Sequence, residues 1–205
     1  LKVYGRSNSV NVQKVMWLVG ELGLAHERID AGLAFGLNDQ DWYLAMNPMG
    51  RVPVLDDDGF VLWESHSIVR YLARQYGAGD WYPSEAKACG DVDKWLDWQL
   101  GFQQPAITPA FWNLIRTAEA DRDMAAVQAS SKETARLYGI VEAHLQGRDF
   151  MAGDQLTIAD IPIGAMTYRW YALDVEHPDY PNLRAWYERL AERPAFQEHV
   201  MLPIT

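Results

Sequence analysis

Cys89 is the only cysteine among 205 residues. A lone cysteine rules out an internal disulfide, CxxC redox chemistry and a cysteine-based zinc site, and it fits a reducing compartment. No apolar run approaches the roughly 20 residues that a membrane-spanning helix needs. No basic stretch precedes an apolar one at the start, so a secretory signal is not expected and a cytoplasmic location is. Positive charge is also scarce. Eighteen Lys and Arg face 28 Asp and Glu, for a net charge of −10, and most of the excess lies after residue 76. So acidic a chain repels phosphate backbones, which excludes nucleic acid as an expected partner. The five histidines show no ligand spacing, and no metal site is expected. His66, between Ser65 and Ser67, has no third partner in sequence for a Ser-His-Asp arrangement. What is present is 49% apolar and 22% charged, the balance of a soluble globular protein.

Residues 1–77 read as a mixed domain. Lys2–Gly5 and His26–Asp30 are short strands, separated by a helix with apolar residues at 12, 15, 16, 19 and 22. Asp41–Met46 is one or two helical turns. Val52–Leu55 and Phe60–Trp63 flank Asp58-Gly59, a hairpin signal. Ile68, Val69, Leu72 and Ala73 mark a second helix closed by Gly77. The order is β-α-β-α-β-β-α, a small mixed sheet covered by helices. Residues 78–84, with Gly79 and Pro83, read as a linker. Residues 85–205 carry only helical periods, over 85–117, 121–146, 157–171 and 182–193, with Pro105 and Pro109 forcing a kink or break in the first.

Four motifs could carry chemistry. The loop Arg6–Asn11 offers Ser7, Asn8, Ser9 and Asn11 at a helix start. It either caps the helix or forms an anion site on free N–H groups. Met49–Val54 places Pro53 just before a strand and reads as a turn. Trp63-Glu64-Ser65 opens the second helix, as a cap or as a second polar clamp, Glu64 facing a cation and Ser65 a carboxylate. Leu156–Ile161 reads as structural, a capping box of Thr157 and Asp160 with a staple of Leu156 and Ile161.

Together these features resemble the glutathione transferase family over nearly the whole chain. Glu64, Ser65, Ile68, Tyr71 and Leu72, and the Ala159-Asp160 box with Gly153 and Asp154, are the most specific parts. Asp80–Pro83, Val92-Asp93 and Trp98-Gln99 look theta-like, and Tyr4–Arg6 with Asn11-Val12 resembles bacterial members. The resemblance implies a thioredoxin-like α/β N-terminal domain, an all-helical C-terminal domain, a homodimer, and glutathione as co-substrate without a metal. It places Ser9 near the glutathione sulfur, with Asn11 standing where a proline is usual. The sulfur's donor therefore stays open between Ser9 and Asn11, with Ser7 a neighbouring rival. It also assigns the Val52 backbone to the cysteinyl unit, Pro53 to a cis peptide, Glu64 and Ser65 to the γ-glutamyl end, and Arg51 to the glycine carboxylate. The acidic residue that relatives supply from a partner subunit does not align; Gly101 falls near its place and Asp97 is a weak substitute.

The implied activity is conjugation. A bound glutathione thiolate attacks a small-molecule electrophile held near Arg6, Thr108, Phe111 and Trp112, with Tyr168 a further candidate. These aromatics also read as core. Two alternatives stand beside it: glutathione-dependent disulfide reduction or isomerisation on the same fold, and a non-catalytic interaction protein.

Overall fold

The computed structural model describes residues 1–205. The chain runs β1 (Lys2–Tyr4), α1 (Val10–Glu21), β2 (Glu27–Ile29), α2 (Asp41–Met46), β3 (Val54–Asp57), β4 (Phe60–Trp63) and α3 (Ser65–Tyr76). Only helices follow: α4 (Ala86–Trp98), α5 (Gln104–Phe111), α6 (Met124–His144), α7 (Asp160–Tyr171), α8 (Pro181–Ala191) and α9 (Pro194–His199).

The four strands lie in the order β2-β1-β3-β4. β1 pairs parallel with β2 and antiparallel with β3, and β3 pairs antiparallel with β4. Side chains alternate across a strand, so Tyr4, Val54 and Trp63 share a face. They pack with Ala31 and Tyr43, the latter on α2. The β3–β4 turn has φ of 49° at Asp58 and 92° at Gly59, the two positive values of a type I′ hairpin. β3 starts at Val54 and not at Val52, because Pro53 has no N–H for the ladder.

The chain divides into two units, Leu1–Pro83 with Pro194–Leu202, and Ser84–Arg193 with Pro203–Thr205. The sequence division at 77 and 85 differs in assigning α9 to the helical part. In the structure Phe196 is fully buried and meets Trp17 of α1 edge-on at 4.7 Å. A six-residue helix offers too few periods for its partner to be read from sequence.

In the second unit the helix expected over 85–117 is broken. Five-residue π-helical segments, Gln99–Gln103 and Trp112–Arg116, flank α5. Pro105 sits in the first turn of α5 and Pro109 lies inside it, and neither has an N–H to give to the helical ladder. At the centre is α7, buried from Asp160 to Thr167. Between Asp160 and Thr167, both buried polar residues, its side chains are all apolar, as in an enclosed helix. Trp170 stacks on Tyr138 of α6 at 4.2 Å.

Candidate functional site

The start of α1 is set by Gly5, where any Cβ would collide with Val12 Cγ2. The loop then turns tightly: Arg6 N–H donates to the Ala31 carbonyl (3.1 Å) and Ser9 N–H to the Arg6 carbonyl (3.2 Å). Ser9 stands at the N-cap position with extended geometry, φ −85° and ψ 120°, yet its hydroxyl makes no cap bond. It is 7% exposed. Capping therefore does not describe Ser9. Ser7 is exposed, its carbonyl accepts from Gln13 Nε2 at 3.0 Å, and it lines a separate cleft of about 350 Å³ with Gln13, His26, Arg28 and His199.

The loop before β3 is fastened from one carbonyl. Tyr43 hydroxyl (2.8 Å) and Asn47 Nδ2 (2.9 Å) both donate to the Arg51 oxygen. Asn47 Oδ1 accepts from Met49 N–H, and Asn38 Nδ2 donates to the Gly50 carbonyl at 2.8 Å. Gly50 has φ +58°, and a Cβ there would meet the Asn38 oxygen at 2.9 Å. The Val52–Pro53 peptide is cis. Val52 is half-buried outside the strand ladder, and the Arg51 side chain is exposed. Tyr43 and Asn47 are almost completely buried. Sequence reading missed both, since nothing local shows that they converge on Arg51.

α3 begins much as α1 does. Glu64 is its N-cap, with φ +70° and ψ 115°, and closes no cap with its side chain. A non-glycine residue held there costs of order 1–3 kcal/mol, and such strain gathers at ligand sites. Glu64 is exposed and Ser65 is 6% exposed. The first N–H groups of α3 are left for something other than a side-chain cap.

The starts of the two helices are joined by a buried lysine. Lys14, fully inaccessible, donates from Nζ to Asn11 Oδ1 at 3.0 Å and lies 3.2 Å from His66 Nε2 on α3. An ammonium has only donors, so it would meet that histidine nitrogen as an acceptor. Sequence reading passed over Lys14. The signal was a lone charge next to Val15 on a helix whose following residues, Val15 to Val19, are all apolar.

In the second unit, Phe111 is 3% exposed and lies between two guanidinium groups, Arg169 at 4.0 Å and Arg116 at 5.0 Å from its ring. Trp112 is half exposed, with Arg116 at 4.8 Å. The Thr108 hydroxyl donates back to the Gln104 carbonyl at 2.6 Å. Burial pushes the Tyr168 hydroxyl pKa up. Thus the structure groups Phe111 and Trp112 around Arg116, a pairing absent from the sequence reading, while Thr108 is already engaged.

The start of α7 is built differently. Asp160, wholly buried, accepts from Met151 N–H (2.8 Å), Thr157 N–H (3.0 Å), Trp186 Nε1 (2.9 Å) and the Thr157 hydroxyl (3.4 Å). Thr157 Oγ1 in turn accepts from Ala159 N–H at 3.3 Å. Desolvation raises the Asp160 pKa to about 6 against the pull of these donors.

The chain as a whole has counterparts among known proteins. The glutathione S-transferase N-terminal domain matches residues 1–74, and the C-terminal domain matches residues 103–194. The chain is 40% identical to glutathione S-transferase GstB of Escherichia coli, with 100% of each chain covered. It belongs to the glutathione S-transferase family. Glutathione S-transferase 3 of Zea mays is 34% identical over 98% of this chain and 93% of its own length. Among solved structures, the theta class glutathione S-transferase of Xanthomonas axonopodis pv. citri, with glutathione bound, superposes with a TM-score of 0.96 at 40% identity, covering 100% of this chain and 98% of that one. The fold of this family member is thus a mixed-sheet thioredoxin-like domain followed by a helical one.

Proposed function

We propose that the protein is a glutathione transferase that activates the thiol of bound glutathione for attack on a small electrophile. The reading is supported by the full-length likeness to GstB and to the glutathione-bound theta class enzyme. The observation that carries it is Ser9, a nearly buried cap-type residue whose hydroxyl caps nothing.

In this reading Ser9 donates to the glutathione sulfur and Asn11 assists. A free thiol titrates near 8.5. Lowering that by about two units takes roughly 2.7 kcal/mol of preference for the thiolate. One hydrogen bond to a charged group supplies about 1.5–3 kcal/mol, and the start of α1 adds about 0.3–1 kcal/mol. No general base is required. Glu64 takes the γ-glutamyl ammonium, Ser65 and the free N–H groups of α3 take its carboxylate, the Val52 backbone pairs with the cysteinyl unit beside Pro53, and Arg51 reaches the glycine carboxylate. Arg6, Thr108, Phe111, Trp112 and Tyr168 are the residues proposed to meet the electrophile. The protein would work as a cytoplasmic homodimer, two-fold dimers being the commonest closed assembly.

Calorimetric titration with glutathione, followed by a conjugation assay over several electrophile classes, tests this reading. Saturable binding with thioether formation is expected. Binding without turnover on any electrophile, or thiol–disulfide exchange as the dominant reaction, would displace it.

A further inference from the structure

A fully buried lysine stands one turn into α1, one turn from the proposed sulfur donors. Burying an ammonium is expensive, and apolar replacements of similar volume are often neutral or stabilising. What Lys14 does geometrically is specific. Its Nζ holds Asn11 Oδ1 at 3.0 Å while also reaching His66 Nε2 at 3.2 Å. A carboxamide has one acceptor end and one donor end. An ammonium, which only donates, can pair with the oxygen end alone. The amide of Asn11 is therefore fixed in one of its two flips, and the end not held is the NH₂ group. Asn11 itself is half-buried at the helix start. A thiolate is an acceptor, and the reverse flip would turn the amide oxygen towards it and repel it.

We propose that Lys14 is a positioning residue of the thiolate site: it locks the Asn11 side chain so that its amide presents N–H donors, and not its oxygen, to the glutathione sulfur. The inference rests on the reading of Ser9 and Asn11 as the residues that meet that sulfur. It makes the lysine's effect indirect, carried through Asn11, and it explains why a buried charge stands between Val12 and Val15.

The ultraviolet absorbance of the bound thiolate, titrated against pH in the full-length protein, reads this directly. Lys14→Met, which keeps length and bulk without a donor, should raise the bound thiol's pKa by about one unit. From a wild-type value about two units below the free thiol, that lowers the thiolate fraction, and with it turnover, at pH 7 by about threefold, with the KM for glutathione and the melting temperature little moved. A double-mutant cycle separates positioning from simple charge. In an Asn11→Ala background, Lys14→Met should produce no further shift. A full further shift there would mean that the ammonium acts through space, and would overturn the positioning role. A folded Lys14→Met protein with wild-type titration would overturn it as well. Should Lys14→Met fail to fold, Asn11→Asp decides the matter, since it keeps the Lys14 contact as an ion pair but removes the donor end. Its bound thiol should titrate at least as high as in Asn11→Ala, and a wild-type curve would sink the proposal. If glutathione bound to the wild type titrates like the free thiol, the donor reading of Ser9 and Asn11 fails first, and Lys14's role with it.

Discussion

The helices of the two units start in opposite ways. In the second unit the first N–H groups are met by side chains: Glu85 accepts from Ala88 on α4, Asp123 from Ala126 on α6, Glu142 from Asn182 and Leu183 on α8, and Thr157 from Ala159 ahead of α7. In the first unit, α1 and α3 start at Ser9 and Glu64, residues able to cap, and neither side chain does so. A helix start left without its cap forgoes about 1 kcal/mol and keeps a local positive potential for an anion. Residue type does not separate a structural helix start from a ligand-binding one. The partner of the side-chain oxygen does.

The comparison breaks most visibly at Asp160. Asp160→Ala removes the acceptor for four donors, and each orphaned buried group costs roughly 1–3 kcal/mol. The expected loss is about 3 kcal/mol or more, a fall of several degrees in melting temperature, with turnover per folded molecule unchanged. A pH dependence accompanies it. The folded carboxyl titrates at about 6, above its ordinary 3.8. Between those values the folded state holds a proton that the unfolded chain has released, so the contribution of Asp160 to stability falls as pH rises through the window and is constant above it. Asp160→Asn cannot ionise. The stability gap between wild type and Asp160→Asn should therefore be wider at pH 4 than at pH 7 by chemical denaturation. A gap that widens towards pH 7 would contradict the assignment.

Glu64 should show the reverse pattern. Glu64→Gly fits φ +70° without strain and should raise stability by about 1 kcal/mol, while weakening glutathione binding by about 1.5–3 kcal/mol through the lost charge-assisted bond. Calorimetry and thermal melts of the same preparation give both signs. Stability and affinity falling together would mean that Glu64 serves the fold. Ser9→Ala should slow conjugation about tenfold at neutral pH, a loss of about 1.4 kcal/mol, and should regain part of it near pH 9, where the thiol ionises unaided. If instead Ser7→Ala or Asn11→Ala moves the thiolate titration and Ser9→Ala does not, the main donor is the residue that moved it.

How much of this could be read from sequence follows from contact range. The β-α-β-α-β-β-α order, the Asp58-Gly59 turn and the Thr157–Asp160 box depend on residues a few positions apart, and periodicity or turn chemistry displays them. The Ser9, Pro53 and Glu64-Ser65 positions were legible as a pattern of family resemblance, but whether a serine caps or stays available was not, because that is a matter of hydroxyl geometry. Lys14 meets His66 across 52 positions, and Tyr43 and Asn47 converge on the Arg51 carbonyl only once α2 is folded. The docking of Phe196 on Trp17 joins the two ends of the chain. Such contacts leave no local trace except a residue out of place, and Lys14 was the one visible example.

The smallest expected effect is the sharpest form of the comparison, the same hydroxyl deletion at two helix starts. Thr157 Oγ1 accepts from Ala159 N–H and donates towards Asp160, so Thr157→Ala strips a working cap. A lost cap costs typically about 1 kcal/mol, or about 2–4 °C of melting temperature for a chain of this size, and the thiolate titration should stay where it was. Ser9→Ala deletes a hydroxyl that bonds nothing on α1. Its effect on the melting temperature of the ligand-free protein should be a few tenths of a kcal/mol at most, within the spread of neutral substitutions. Adding saturating glutathione should then separate the two further. Ligand stabilises each protein in proportion to the logarithm of its affinity, and Ser9→Ala leaves the protonated ground state almost unchanged, so the thermal shift at low pH should match wild type and fall short only at pH 7 and above, where the wild type binds the thiolate. A Ser9→Ala protein that melts about 1 kcal/mol early without ligand, with an unshifted thiolate titration, would show that Ser9 is a cap after all and that the two helix starts differ only in appearance.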